Sequence, residues 1–282
     1  MATLYFNGAV DDDWNELGNW WTDASCASPY EAASLPGPAD DVYFTNASNV
    51  TNSGDSITVA NLFVATGGYT DFSAEVTVNG VATFSDSASL SGTVYGDCVF
   101  DQSAALAGTV YGNATFLDYA ACNGSVYGAA LVFNDYSNIG ASFNANPSAT
   151  AVTFNDYSAA HSFYAASDVE SVEFNDFSAA SSSDFAVQYP IVCTFSDMSV
   201  LGNYYYGRGE AGSGMSNLNV GDESVIIFRG NALLFASGLF SGPRFEFHDN
   251  AYNATGTPPY PDTNILRRPS RGINGSSILG VI

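Results

Sequence analysis

The chain contains no lysine; its six basic side chains are all arginine, set against 29 acidic ones. Schiff-base chemistry and lysine-based phosphate binding by this chain are thereby excluded. Histidine is almost as scarce: His161 and His248 are the pair, and no His-x-x-x-His spacing occurs. Gly-x-Ser-x-Gly, P-loop and dinucleotide-binding patterns are also missing. The four cysteines, Cys26, Cys98, Cys122 and Cys193, lack metal-site spacing. No apolar run approaches the length of a membrane span. The opening Met-Ala-Thr-Leu-Tyr-Phe-Asn-Gly has neither a basic n-region nor an apolar h-region, which predicts no signal peptide.

What is abundant points elsewhere. Hydrophobic residues make up 46% of the 282, with 20 Phe, 17 Tyr and 3 Trp, so whole-chain disorder is excluded. The net charge of -23 disfavours nucleic acid and anionic membrane as partners. That charge is unevenly placed: residues 1–207 hold no basic side chain, whereas Arg208, Arg229, Arg244, Arg267, Arg268 and Arg271 all follow. An acidic body facing solvent and a neutral, arginine-bearing end predict polarity of assembly.

A repeat dominates the middle of the chain. Phe84, Phe100, Phe116, Phe133, Phe154, Phe174 and Phe195 are separated by 16, 16, 17, 21, 20 and 21 residues. Aspartate stands two residues later in six copies, at Asp86, Asp118, Asp135, Asp156, Asp176 and Asp197; in the other, Asp101 follows Phe100 directly. The fullest form is Val-Tyr-Gly-x-x-x-Phe, at Val94 and Val110, with one more residue before the phenylalanine in the copy at Val126. Six residues after each phenylalanine come Leu90, Leu106, Cys122, Ile139, Ala160, Ala180 and Leu201. Ten after the first five come Val94, Val110, Val126, Phe143 and Tyr164. Alternation such as Val110, Gly112, Ala114, Phe116 against Tyr111, Asn113, Thr115 is the period of a strand with one buried face.

A unit this short cannot bury its own face, but stacked units can. The expected fold is all-β: one chain wound as a parallel β-solenoid, with an N-terminal cap and an extended C-terminal arm. The seven phenylalanines form its internal ladder. Cys98 and Cys193, each two residues before a ladder phenylalanine, read as small buried apolar residues. Rungs are expected to widen from about residue 134, where the spacing lengthens. The residue after each Phe-x-Asp, at Tyr119, Tyr136, Tyr157 and Phe177, forms an aromatic stripe. Cross-rung stacking and a glycan platform both fit it. The aspartates suit Asx turns at rung corners. A column of them about 4.8 Å apart would also suit Ca²⁺, yet the Gly-Asp nonapeptide that usually binds it is absent. No cofactor, metal or catalytic residue is therefore expected.

Residues 1–75 read as an N-terminal cap and first rungs, closed by Trp14 and Trp20; the carboxylates Asp11, Asp12, Asp13, Asp40 and Asp41 are candidates for a cation. Trp14, Gly18-Asn19-Trp20, the Pro36–Pro38 loop and Asp40-Asp41-Val42, followed by repeats, resemble the opening of parallel β-helix proteins of bacterial surfaces and bacteriophage virions. The resemblance covers about residues 10–65 and implies architecture more than activity. Catalytic acids carried by enzymatic members of that group match no positions here.

Residues 76–206 read as the repeat solenoid, 207–252 as terminal rungs or a C-terminal cap, and 253–282 as an extended assembly arm. Thr257-Pro258-Pro259-Tyr260-Pro261 lacks donors for a sheet, and Arg267, Arg268 and Arg271 precede an apolar end containing Ile278, Leu279, Val281 and Ile282. These residues are the expected contact with a protein partner, either a second copy or another component of an assembly. The leading functional expectation is a non-catalytic structural subunit at a virion or extracellular surface: a phage fibre, capsid decoration or surface layer. A glycan-binding adhesin or receptor-binding fibre is the alternative, and a polysaccharide lyase or hydrolase a third.

Overall fold

Apolar and polar residues alternate along nearly every short strand of the chain, so each strand buries one face and wets the other. In a computed structural model, Ala130–Phe133, Ala151–Phe154 and Val225–Phe228 all follow this pattern. The structure describes residues 2–44, 49–65, 67, 69–139, 150–160, 163–165, 169–180, 184–187, 191–197, 199–201, 204–205, 210–211, 217–220, 224–234, 244–249, 251–253 and 265–267. Helix is confined there to one short 3-10 turn, Leu17–Asn19. The chain divides into two units, 1–131 and 132–282. Each is a parallel β-solenoid.

In the first unit, Thr3–Phe6, Asp41–Phe44, Asn61–Val64, the end of Glu75–Phe84, Thr93–Phe100 and Ala114–Phe116 pair in parallel register. The register aligns Phe6, Phe44, Val64, Phe84, Phe100 and Phe116 in one column, all at most 1% exposed. The ladder thus begins at residue 6, well before the regular repeat. A second column aligns Ile57, Val76, Val94, Val110 and Val126. A second sheet stacks Val50, Phe72, Leu90, Leu106 and Cys122. Rings of the inner ladder lie 5.2 Å apart from Phe84 to Phe100 and 4.7 Å apart from Phe100 to Phe116, nearly parallel. The rung spacing imposes this arrangement.

Trp14 and Trp20 close the first rung, as expected. Trp14 is buried against Phe44 and Phe72 and Trp20 against Phe6 and Phe44, mostly at steep ring angles. Trp20 Nε1 donates to the Trp14 carbonyl at 2.8 Å. Trp20–Trp21 runs antiparallel to Thr3–Phe6 and so covers the sheet edge that a solenoid would otherwise expose.

In the second unit, Ala151–Phe154, Ser171–Phe174, Val192–Phe195, Val225–Phe228 and Arg244–Phe247 are in parallel register. Stacked rings run from Phe133 through Phe154, Phe174, Phe195 and Phe228 to Phe247, with centroids 4.6–5.1 Å apart. A second sheet stacks Ile139, Ala160, Ala180, Leu201 and Leu234. A third, absent from the first unit among the described residues, pairs Phe163–Ala165, Asp184–Val187 and Asn217–Val220. These extra strands account for the longer repeats. Tyr164 lies in that third sheet, and Phe143 lies outside the described residues.

Tyr204–Tyr205 pairs antiparallel with Glu210–Ala211. One reading of the C-terminal region changes. The arm expected to stay out of the sheet joins it at Ile265–Arg267, parallel to Arg244–Phe247, while Tyr252–Asn253 adds to Leu233–Leu234. The proline-bearing residues 258–261 lie outside the described residues; beyond them Ile265, Leu266 and Arg267 all carry backbone donors and pair with Phe245, Glu246 and Phe247.

The Phe-x-Asp motif is explained by backbone conformation. Asp86, Asp118, Asp135, Asp156, Asp176 and Asp197 have φ between 49° and 58°. Gln102, Gly230 and Asp249 hold the equivalent corner after Phe100, Phe228 and Phe247, at 56°, 62° and 56°. The corner demands left-handed backbone, which aspartate tolerates and β-branched residues do not. Next to it the chain closes a turn, as in Ser158 N to the Asn155 carbonyl at 3.1 Å. Asp156→Val is expected to lower stability by about 1–2 kcal/mol, whereas Asp156→Gly changes it by a few tenths; chemical denaturation distinguishes the two.

Two residues beyond each corner comes a buried small residue: Ala88, Ala104 and Ala120 in the first unit, then Ser137, Ser158, Ser178 and Ser199 in the second. Ser137 Oγ donates to the Asn134 carbonyl at 2.7 Å. The hydroxyls of Ser158, Ser178 and Ser199 have no hydrogen-bond partner among the described residues. Ser178→Ala removes a desolvated hydroxyl and keeps the packing, so it is expected to stabilise by about 1 kcal/mol, read as a higher denaturation midpoint.

Candidate functional surface

The stripe Tyr136, Tyr157 and Phe177 forms as expected on the second unit. Its rings stack at 5.1 Å and 5.1 Å with interplanar angles of 8° and 7°. Tyr136 and Tyr157 are 52% and 47% exposed. Tyr119, the first member expected, is on the first unit and is 64% exposed. A second exposed ladder was not anticipated: Tyr95, Tyr111 and Tyr127 stack at 4.8 Å and 5.0 Å on the outer face of the first unit. Its signal was the tyrosine of Val-Tyr-Gly, which alternation places opposite the buried valine. The nearby Glu75 charge, with smaller contributions from burial and Tyr111, holds the Tyr95 phenol above its ordinary range.

In both ladders each inner ring has its faces against its neighbours. Edges and hydroxyls are what the ladder offers to solvent. Sugar rings and cations bind aromatic faces, so stacking itself occupies the surface that a glycan platform needs. Only the end rings escape this constraint.

Four of the five carboxylates proposed for a cation, those of Asp11, Asp13, Asp40 and Asp41, are engaged in holding the cap, and Asp12 contributes its backbone carbonyl, which accepts from Thr51 N at 2.8 Å. Asp11 Oδ1 accepts from Asn19 Nδ2 at 2.9 Å and from Asp13 N at 3.0 Å. Asp40 accepts from the backbone of Ala2 and Gly37 at 2.7 Å and 3.1 Å. Asp41 accepts from Asn61 Nδ2 at 2.8 Å. The Ser53 hydroxyl donates to Asp13 and is the main cause that holds its carboxyl below the usual range; burial opposes it, and the backbone N–H groups of Asn15 and Ser53 add to the lowering. A lowered folded-state pKa stabilises the cap at pH above the unfolded value and is lost as pH falls through the folded one. Among the described residues, no group of three or more His, Cys, Asp or Glu is placed to hold a metal.

Similar side-chain relays run along the solenoid. Asp97 Oδ1 accepts from Asn113 N at 2.8 Å, and Asn113 Oδ1 accepts from Ala130 N at 2.9 Å, each spanning one rung. Asn134, Asn155 and Asn175 form an amide ladder, with Nδ2 donating to the preceding Oδ1 at 2.8 Å and 3.0 Å. Neither relay was anticipated from sequence, although the asparagines share one repeat position.

Cys98, Cys122 and Cys193 are buried and unbridged, and Cys26 is half-buried. Burial pushes the Cys122 and Cys193 thiols up to about 12 and raises Cys98 as well. At pH 8, alkylation of the native protein should label Cys26 alone; the other three should react only after unfolding. His248 Nε2 lies 3.2 Å from Glu246 Oε2. Of the expected arm contacts, Arg267 has its backbone in the last strand, opposite Phe247. Arg268, Arg271, Ile278, Leu279, Val281 and Ile282 lie outside the described residues.

No family model matches this chain, and neither a curated protein nor a solved structure is similar to it.

Proposed function

We propose that this chain is a structural subunit of a large extracellular or virion assembly, in the manner of a fibre, a capsid decoration or a surface layer, and that it performs no catalysis. The observation that carries this reading is repetition. Within each unit, successive rungs repeat one buried column and one corner conformation. Catalysis depends on groups converging once, at a single place; here the recurring carboxylates and amides stand one per rung along the outside. Such a chain gains length and surface from each added repeat. Its acidic body limits nonspecific contact, and its arginines are collected in residues 208–282. Negative-stain imaging of the native protein with a size measurement tests this: filaments, rings or attachment to a larger particle are expected, and a monodisperse monomer at every concentration contradicts it.

The exposed tyrosines favour glycan binding as the second reading, in an adhesin or receptor-binding fibre. The faces already stacked argue against it. Tyr136→Ala is expected to leave any binding on a glycan array unchanged; binding lost with the fold intact would put the adhesin reading first.

A further inference from the structure

Neighbouring rungs of the first unit hold three phenols face to face at the surface. Tyr95, Tyr111 and Tyr127 are 40–50% exposed, with ring centroids 4.8 Å and 5.0 Å apart and interplanar angles of 6° and 16°. Two devices fix that geometry. The backbone N–H groups of Tyr111 and Tyr127 donate to the Val94 and Val110 carbonyls of the preceding rung, at 2.8 Å each. Each tyrosine also precedes a glycine, and a Cβ added at Gly112 would lie 2.2 Å from the Gly96 carbonyl oxygen, so the rungs approach closely beside the ladder. In a nearly parallel stack each ring carbon faces its counterpart on the next ring, the carbons ortho to the hydroxyl included. Tyr136 and Tyr157 repeat the arrangement on the second unit at 5.1 Å and 8°, and the next ring there, Phe177, has no hydroxyl. Disulfides and lysine-derived bonds do not tie the rungs together: the four cysteines are free, and the chain has no lysine.

We propose that these ladders are sites of oxidative tyrosine coupling, in which a one-electron oxidant, such as a haem peroxidase charged by hydrogen peroxide, joins adjacent rungs through a Tyr95–Tyr111 or Tyr111–Tyr127 bond and a Tyr136–Tyr157 bond. Each phenol gives up one electron and its hydroxyl proton and becomes a phenoxyl radical, whose unpaired electron is shared with the ortho carbons. Two such carbons on facing rings form one C–C bond. The hydrogen on each of them then leaves as a proton while the phenol oxygen regains one, which restores both aromatic rings. Two electrons and two protons depart in all, and they reduce one hydrogen peroxide to two waters. Stacking favours coupling within the chain, because the partner radical is held at one rung spacing, whereas a tyrosine of another chain must arrive by diffusion. Phe177 forms no phenoxyl radical, so coupling stops at Tyr157. Tyr30 is 49% exposed but has no ring stacked on it among the described residues, and so has no such partner. Coupling within one chain is independent of any assembly.

Oxidation of the dilute full chain with hydrogen peroxide and a peroxidase, followed by peptide mapping in a mass spectrometer, tests this. Wild type is expected to lose two hydrogens per bond formed, with links mapped from Tyr111 to Tyr95 or Tyr127 and from Tyr136 to Tyr157. Tyr111→Phe keeps the stacked ring and removes its phenol, which leaves Tyr95 and Tyr127 two rungs apart, roughly 10 Å. That variant should lose the first-unit links and retain Tyr136–Tyr157, which shows that the oxidant reached a folded chain. Each first-unit bond closes a loop of 16 residues. Oxidation should therefore raise the melting midpoint of the first unit by roughly 6–12 °C, and this rise should be absent from Tyr111→Phe. Links formed only between chains, no link at either ladder, or a Tyr95–Tyr127 link in Tyr111→Phe at the wild-type yield would overturn the proposal. Links through Tyr30 as frequent as those through Tyr111 would do the same, since exposure alone would then select the site.

Discussion

Gly112→Ala is expected to destabilise the first unit by about 3 kcal/mol, lowering its melting temperature by roughly 6–12 °C. The glycine follows Tyr111 at the bend between two strand segments of one rung. A Cβ there would lie 2.2 Å from the Gly96 carbonyl oxygen and 2.3 Å from its carbon. Both atoms are backbone, so no rotamer change relieves the clash. The previous and next rungs repeat it: Gly96 would meet the Val78 carbonyl at 2.3 Å, and Gly128 would meet the Gly112 carbonyl at 2.1 Å. A second column does the same, with Gly108 at 2.0 Å from the Gly92 carbonyl. The rungs approach so closely at these points that hydrogen replaces a side chain. Gly67 is the internal control: nothing lies within 4 Å of its added Cβ, though its φ of 65° still favours glycine. Thermal unfolding followed by circular dichroism separates the two, and an unchanged midpoint for Gly112→Ala would contradict the close stacking.

Phe154→Ala is expected to cost about 3–5 kcal/mol. The ring is fully buried and stacked between Phe133 at 4.8 Å and Phe174 at 4.6 Å. Removing it leaves a gap bounded above and below by aromatic faces held in place by their own strands, so the cavity closes poorly. Phe154→Leu refills most of the volume and should recover more than half of the loss. Denaturant titration measures both. Equal effects for the two substitutions would mean that the site is not enclosed by neighbouring rungs.

The ladder was legible in the sequence because one large residue type recurs at nearly fixed spacing, and each of the seven expected phenylalanines is in a buried column. Its extension to Phe6, Phe44, Phe228 and Phe247 was harder to read. Val64 interrupts the residue type, and the Trp14–Trp20 cap and the hairpin at Tyr204–Ala211 stretch the spacing. The corner aspartates were visible as a motif, but the reason for them was not. An Asx turn and a left-handed backbone both place aspartate there, and only Gln102 and Gly230 at equivalent corners reveal that backbone angle is the shared demand. The glycine columns follow from distances between rungs, which a sequence does not contain. The amide and carboxylate relays depend on which side chains meet across a rung. The arm was misjudged at Ile265–Arg267 because proline content was read across the whole tail, although its exclusion from a sheet ends with the last proline of the run.

Parallel, in-register stacking is the central claim, and disulfide trapping tests it directly. Thr153 and Glu173 are register partners in adjacent strands with their side chains on the outer face, and Thr194 is the partner of Glu173 in the following rung. Adjacent rungs separate such positions by about 4.8 Å, within disulfide reach; two rungs separate them by roughly twice that distance. In a Cys26→Ser background under mild oxidation, Thr153→Cys/Glu173→Cys is expected to form an intrachain disulfide, and Thr153→Cys/Thr194→Cys to remain reduced. A bond in the second pair with none in the first would contradict the parallel solenoid.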